Sequence, residues 1–276
     1  LGLSDKLPMT ALEQGVDIVV QSTHKTLPSF TQSSMIHIQG ERVNQERLTS
    51  ILRMIESSSP SYMLMSSLEL AVDIYETKGK DLMDELLDNI DIFKKNMEKY
   101  KNINIYNDDD RTKIFISSKE LGMAGYELDE MLRMNYNVQV ELSNYYGILL
   151  ICTIGNDRGD FKSLEYALAD ISLNHISNKN IGYIDYPMNI PVKELSPREA
   201  FYNEKKSVKI YDSIGKICGE YIIPYPPGIC LVSPGEIITK EVIDYILVCH
   251  QKGMSISGMK DPSLGYIQII ENSYNG

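Results

Sequence analysis

The sequence predicts an α/β protein with smaller α+β modules, and three observations carry that prediction. Short β-branched runs such as GVDIVVQS and SSMIHIQG stand beside long segments with helical spacing of apolar residues. From about residue 101 short strand and helix patterns alternate more tightly. Hydrophobic residues make up 43% and charged residues 24% of the 276 positions, enough to bury a sizeable core.

GVDIVVQS, introduced by Gly15, reads as a buried strand, and SSMIHIQG, closed by Gly40, as a second. ERVNQERLTSILRMIES places Val43, Leu48, Ile51, Leu52 and Ile55 near one helical face. SPSYMLMSSLELAVDIYETKG starts a helix after Pro60 and is expected to stop near Gly79, with its methionines as core filler. DLMDELLDNIDIFKKNMEKY follows as a separate helix, with Leu82, Leu86, Ile90, Phe93 and Met97 on one stripe. Its acidic start and basic end suit the helix dipole. TKIFIS reads as a strand and AGYELDEMLRMN as a helix, while NVQVEL and GILLICTIG read as a hairpin across SNYYG. DFKSLEYALADISLNHI returns as a helix with Phe161, Leu164, Leu168 and Ile171 inward. The segment 177–197, with Pro187, Pro191 and Pro197, reads as a connection, and a last α+β unit ends in the helix TKEVIDYILVCHQKG. Three parts are expected: residues 1–100, 101–180 and 181–276.

The formal charge of −11 excludes the basic face of a nucleic-acid binder and is compatible with a cationic substrate. No apolar run approaches the roughly 20 residues of a membrane helix, and no secretory signal opens the chain. Four scattered cysteines without Cys-x-x-Cys spacing read as reduced thiols of a cytoplasmic protein. Asp108, Asp109 and Asp110 precede a strand without spaced partners and read as a solvated turn rather than a metal site. The chain opens in apolar sequence without Met, which reads as the interior of a longer polypeptide.

One lysine stands out. Lys25 follows a strand and is surrounded by Ser22, His24, Thr26, Ser29 and Thr31. Ligands of open α/β sheets bind at strand C-terminal ends, and a lysine in such a place can act as a nucleophile toward a carbonyl. Hydroxyls and an imidazole around it suit an anionic cofactor group beside an imine. A surface loop with an ordinary lysine is the competing reading of the same residues.

The wider segment QSTHKTLPSFTQSSMIHI resembles the cofactor-lysine region of the ornithine/lysine/arginine decarboxylases, pyridoxal 5'-phosphate enzymes of aspartate-aminotransferase fold type I. ESSSPSYMLMSSLELA resembles the segment that follows in that family, and PYPPGICLVSPGE its C-terminal-domain motif. The resemblance implies the C-terminal part of such an enzyme: a truncated cofactor-binding large domain, a small α+β domain and a C-terminal domain. It also implies that Lys25 binds the cofactor covalently, that Ser22 and His24 lie near its phosphate, and that Lys25 or His24 handles the proton. Ser58 matches a position, usually threonine, that reaches the phosphate in a neighbouring subunit, which implies a homodimer or larger homo-oligomer. Cys230 stands where the family pattern has proline. The family's aspartate for the pyridine nitrogen, its phosphate loop and its ring-stacking residue precede the matched region, and neither Asp5 nor Asp17 has the right neighbours.

The implied reaction is decarboxylation of arginine, lysine or ornithine to the corresponding amine of the polyamine pathway, with this chain inactive alone. The substrate's side-chain cation wants a carboxylate, for which Glu141 and Glu236 are the candidates. Tyr225 is expected to pack. Two alternatives stay open: an aminotransferase, for which Arg158 would hold a carboxylate, and a non-catalytic assembly or regulatory piece.

Overall fold

The computed structural model describes residues 4–106, 108–177, 179–225 and 228–271. They form two compact units. The first holds residues 1–121, 128–141 and 148–178; the second holds 122–127, 142–147 and 179–276. Residues 62–97 and 104–117 fall in the first unit, and residues 142–147 in the second.

In the first unit, β1 (Ile18–Gln21) pairs antiparallel with β2 (Met35–Ile38), Ile18 opposite Ile38 and Val20 opposite Ile36. Both strands were expected, but as buried ones. Val20 is 70% exposed, because a two-stranded ribbon has no layer over its outward face. Helix α1 (Gln45–Ile55) starts where the Asn44 side chain accepts from the Arg47 N–H, and it has the expected apolar face, yet it buries none of its residues.

Helix α2 (Tyr62–Met97) begins at the Ser61 cap and runs unbroken for 36 residues. The expected stop at Gly79 does not occur. A Cβ on Gly79 would come within 2.4 Å of the Tyr75 ring, so the glycine makes room for an aromatic ring rather than ending the helix. Beyond Gly79 the stripe Met83, Leu86, Leu87, Ile90, Phe93 and Met97 is buried. The N-terminal part of α2 differs, and Met63 and Met65, expected as core filler, are exposed.

The stripe packs on α4 (Arg158–Asn174), with Phe93 and Phe161 ring centroids 6.0 Å apart. Asp157 and Asp160 form a reciprocal capping box at the start of α4, and Phe161, Leu164, Leu168 and Ile171 point inward as expected. Between α2 and α4 in sequence come β3 (Asn104–Tyr106), β4 (Lys113–Ser117), α3 (Gly125–Tyr136), β5 (Leu142–Asn144) and β6 (Gly147–Ile151). The strands run in the order β3-β4-β6-β5. The hairpin is shorter than expected, since residues 137–141 are not strand. Asn144 Oδ1 accepts from the N–H groups of Tyr146 and Gly147, which tightens the turn onto those two residues. The aspartate turn is held locally: Asp110 accepts from Thr112 N and Oγ1 and pairs with Lys113.

The second unit contains α5 (Pro197–Tyr202), β7 (Lys205–Lys209), β8 (Ile217–Cys218), β9 (Ile223–Tyr225), α6 (Lys240–Gln251), β10 (Ser255–Ser257) and β11 (Tyr266–Ile270). Strand β11 lies between β7 and β8, and β9 pairs with β10. Ile222, Val232, Ile243, Ile246 and Ile267 form its core. Glu220 is buried there, accepting from Lys260 N at 2.7 Å and Gln268 N at 2.9 Å, which compensates its desolvation. Tyr225, expected to pack, is half exposed. Its neighbours Pro226 and Pro227 in the proline-rich motif lie outside the described residues.

The Gly79 contact gives a first test. Gly79→Ala destabilises the protein in urea unfolding although alanine is about 1 kcal/mol better in a helix interior. In a Tyr75→Ala background the same change becomes neutral or stabilising. An equal effect in both backgrounds would refute the ring-packing explanation.

Candidate functional site

The loop between β1 and β2 opens with a 3-10 turn at Thr23–Lys25, whose N-cap, Ser22, makes no side-chain capping bond. The turn puts Lys25 four residues beyond the end of β1, at a strand end as the sequence suggested. Local bonds then stiffen the loop. His24 Nδ1 lies 2.9 Å from the Ser33 carbonyl, Ser29 and Ser33 hydroxyls meet at 2.6 Å, and Phe30 N donates to Ser67 Oγ of α2 at 3.2 Å.

Lys25 Nζ donates to Glu141 Oε1 at 2.9 Å, across 116 positions of sequence. The pair is partly open to solvent, with side-chain exposures of 51% and 32%. Glu141 is fixed from behind, its N–H donating to the Leu149 carbonyl of β6 at 3.0 Å. Its side chain borders a cavity of about 550 Å³ that Tyr136, Gln139, Cys152, Asp160 and Phe161 also line. Burial pushes the Cys152 thiol up to about 11 despite nearby Lys113 and Lys94. Burial, then the hydrogen bond donated to the Asp170 carboxylate, pushes Tyr136 up to about 12. Neither group is poised as an acid or base near neutral pH.

Two hydroxyls beside the lysine went unnoticed or undervalued in the sequence. Thr23 Oγ1 and Thr26 Oγ1 are buried without a hydrogen-bond partner. An unsatisfied buried hydroxyl costs about 1–3 kcal/mol. The Ser22 hydroxyl, exposed and without a capping bond, and the half-exposed Lys25 are the donor and the amine that a phosphorylated carbonyl cofactor needs. Lys6 pairs with Asp84 and Lys113 with Asp110.

The remaining candidates separate. Ser58 is exposed in the turn between α1 and α2. Glu236 lies in the second unit and closes its own turn, accepting from Ser233 N at 2.8 Å. Arg158 Nη1 lies 3.0 Å from Glu165 Oε1 along α4, an ion pair without hydrogen-bond geometry. Asp17 is bound by Arg42 at 2.7 Å.

Exposure ranks the thiols. Cys152, Cys218 and Cys249 are buried, and burial pushes all three up, Cys218 to about 12; Cys230 alone is exposed. At pH 8 a thiol reagent therefore labels Cys230 rapidly and the other three only on unfolding. Fast labelling of Cys218 in the folded protein would contradict the packing of the second unit.

Comparison with known proteins adds the lineage. Residues 3–117 match the Orn/Lys/Arg decarboxylase major domain and residues 185–272 the Orn/Lys/Arg decarboxylase C-terminal domain. The arginine decarboxylase of Bacillus subtilis is 33% identical over 280 residues, covering 97% of this chain and 57% of that protein. The lysine decarboxylase of Hafnia alvei is 25% identical over 329 residues, covering 87% of this chain and 44% of that protein. Among solved structures, the Francisella novicida lysine decarboxylase superposes with a TM-score of 0.78 at 21% identity, covering 95% of this chain and 51% of that one. The constitutive lysine decarboxylase of Escherichia coli gives a TM-score of 0.75, also at 21% identity, covering 92% and 49%. The chain spans about half the length of the curated relatives it matches. Among the described residues no helix is long and apolar enough to cross a membrane. Orn/Lys/Arg decarboxylase sequence, from the major domain and from the C-terminal domain, is present in this chain.

Proposed function

We propose that the complete protein decarboxylates a basic amino acid, using pyridoxal 5'-phosphate held covalently by Lys25, and that these 276 residues alone are inactive. The observation that carries this reading is the Lys25–Glu141 contact of 2.9 Å, which sets a lysine with hydroxyls around it beside a carboxylate. The matched relatives, named as arginine and lysine decarboxylases, support the same reaction class.

Pyridoxal phosphate, when bound, supplies the electron sink that lets a carboxylate leave as carbon dioxide. The chain's own residues do the rest. Ser22 donates to the anionic phosphate, with His24 beside it. The Ser33 carbonyl fixes the His24 ring through Nδ1 and leaves Nε2 free to move a proton. Lys25 leaves its ion pair when it takes up the cofactor, which frees Glu141 for the ammonium or guanidinium of the substrate. Its Nζ then holds the proton that replaces the lost carboxylate. Glu236, engaged in its own turn, is the weaker substrate-binding candidate. Ser58, exposed and without a bond of its own, is assigned to the phosphate of a neighbouring subunit, so the protein works as a homodimer or larger assembly in the cytoplasm. Arg158, the candidate of the aminotransferase alternative, is ion-paired with Glu165.

Borohydride reduction of the complete protein with its cofactor, followed by peptide mapping, places the pyridoxyl label on Lys25. A label on Lys6 or Lys113 would sink the assignment. Amine release from arginine, lysine and ornithine identifies the substrate, whereas keto-acid formation without carbon dioxide would restore the aminotransferase reading. Glu141→Gln raises KM for that substrate roughly ten- to a hundredfold, the worth of a hydrogen bond to a charged group, with a smaller change in kcat. An unchanged KM would remove Glu141 from the substrate site.

A further inference from the structure

We infer that Ser67 of α2 is a positioning residue that acts through His24: a directed chain of hydrogen bonds ending on Ser67 sets which nitrogen of the His24 ring carries its hydrogen. The inference deepens the function proposed above and, where it concerns turnover, rests on that reading.

A hydroxyl has one hydrogen, so each serine of the loop donates only once. Ser67 spends its hydrogen on the Leu64 carbonyl within α2, at 2.8 Å, and is left as the acceptor for Phe30 N–H at 3.2 Å. Ser33 spends its own on the Phe30 carbonyl at 2.5 Å, so Ser29 is the donor where the Ser29 and Ser33 hydroxyls meet at 2.6 Å. The Ser33 N–H also donates to the Phe30 carbonyl, at 3.2 Å. Both backbone groups of Phe30 are thus engaged, its N–H by α2 and its carbonyl by Ser33. Ser67 and Ser33 are 6% and 3% exposed, so little water competes for these bonds.

The turn from Phe30 to Ser33 shows that its surroundings hold it. Its third residue, Gln32, has φ +80°, the sign that a type II turn requires there and that glycine or asparagine normally supplies. A glutamine persists in that conformation only where neighbouring bonds over-determine the backbone, and the bonds to Phe30 do so.

The turn leaves the Ser33 carbonyl as the partner of His24 Nδ1, at 2.9 Å. A carbonyl only accepts, so Nδ1 carries the hydrogen and the neutral ring offers its lone pair at Nε2. Every donation in the chain runs the same way, from His24 to Ser33, from Ser33 to Phe30, from Phe30 to Ser67 and from Ser67 to Leu64. Stiffening alone needs no such common direction. The chain ends on the residue next to Lys25, and turning the Ser33 carbonyl away would let the ring place its hydrogen on either nitrogen.

The test labels histidine with nitrogen-15 in this chain and reads long-range proton–nitrogen NMR correlations at pH 8, which show where each of the four imidazoles carries its hydrogen. A His24→Gln variant identifies the His24 signals, and these show the hydrogen on Nδ1. Ser67→Ala removes the acceptor of Phe30 N–H and converts them to a mixture of both tautomers. Ser67→Thr keeps a hydroxyl and retains the Nδ1 form, while His37, which meets Gln21 Oε1 at 2.8 Å, is unchanged throughout. Ser67→Cys, of like size and a weaker acceptor, gives the same conversion if the alanine variant does not fold. In the complete protein with its cofactor, Ser67→Ala lowers kcat about tenfold or more, within the range of a proton-transfer group. KM moves less than about twofold, and Ser67→Thr keeps most of the rate. His24 signals unmoved by Ser67→Ala, or an unchanged kcat while they move, would overturn the inference. A pyridoxyl label missing from Lys25 would instead refute the proposed function, on which the tautomer measurement does not depend.

Discussion

Burial of a single stripe of α2 holds the candidate site together. From Met83 to Met97 that stripe packs against α4, and each large side chain fully buried there contributes about 1.5–3 kcal/mol. The Lys25 loop is tied to the same helix through Phe30 N and Ser67, while Glu141 is tied to β6. The Lys25–Glu141 pair itself, partly solvated, contributes about 0–1 kcal/mol. The magnitudes give the direction of cause: packing sets the two residues at bonding distance, and the ion pair reports that placement without producing it.

Helices with an apolar period were legible in the sequence wherever a partner lies within the chain. The stripe ending at Met97 and the inward row of α4 are found as expected. The same period in α1 gave the helix but not its burial, because a pattern shows which face is apolar and not whether anything covers it. The break expected at Gly79 failed for a related reason. Glycine there answers to a ring one turn away, a contact that local propensity cannot express. The strand expected in NVQVEL moved toward its turn because Asn144 bonds the backbone of the next residues.

At the site, Lys25 was legible because its neighbours in sequence are also its neighbours in space. Thr23 was not, since a hydroxyl becomes informative only when it is buried and unpaired. The two glutamates looked equivalent in one dimension. Glu141 differs from Glu236 in being folded back onto a lysine 116 positions away, whereas Glu236 satisfies a backbone donor three residues away.

The order of strands in the second unit has a consequence for biosynthesis. Strand β11 is central between β7 and β8, yet β7 is made some 60 residues earlier: Lys209 pairs with Tyr266 and Lys205 with Ile270. The carboxylate of Glu220 likewise waits for Lys260 and Gln268. On the ribosome, β7 and β8 therefore leave the exit tunnel with their shared neighbour still unmade, and the sheet closes only after β11 emerges. Such non-local pairing slows folding and keeps strand edges open during translation. The first unit, whose α2–α4 core is complete by Asn174, can settle well before that point.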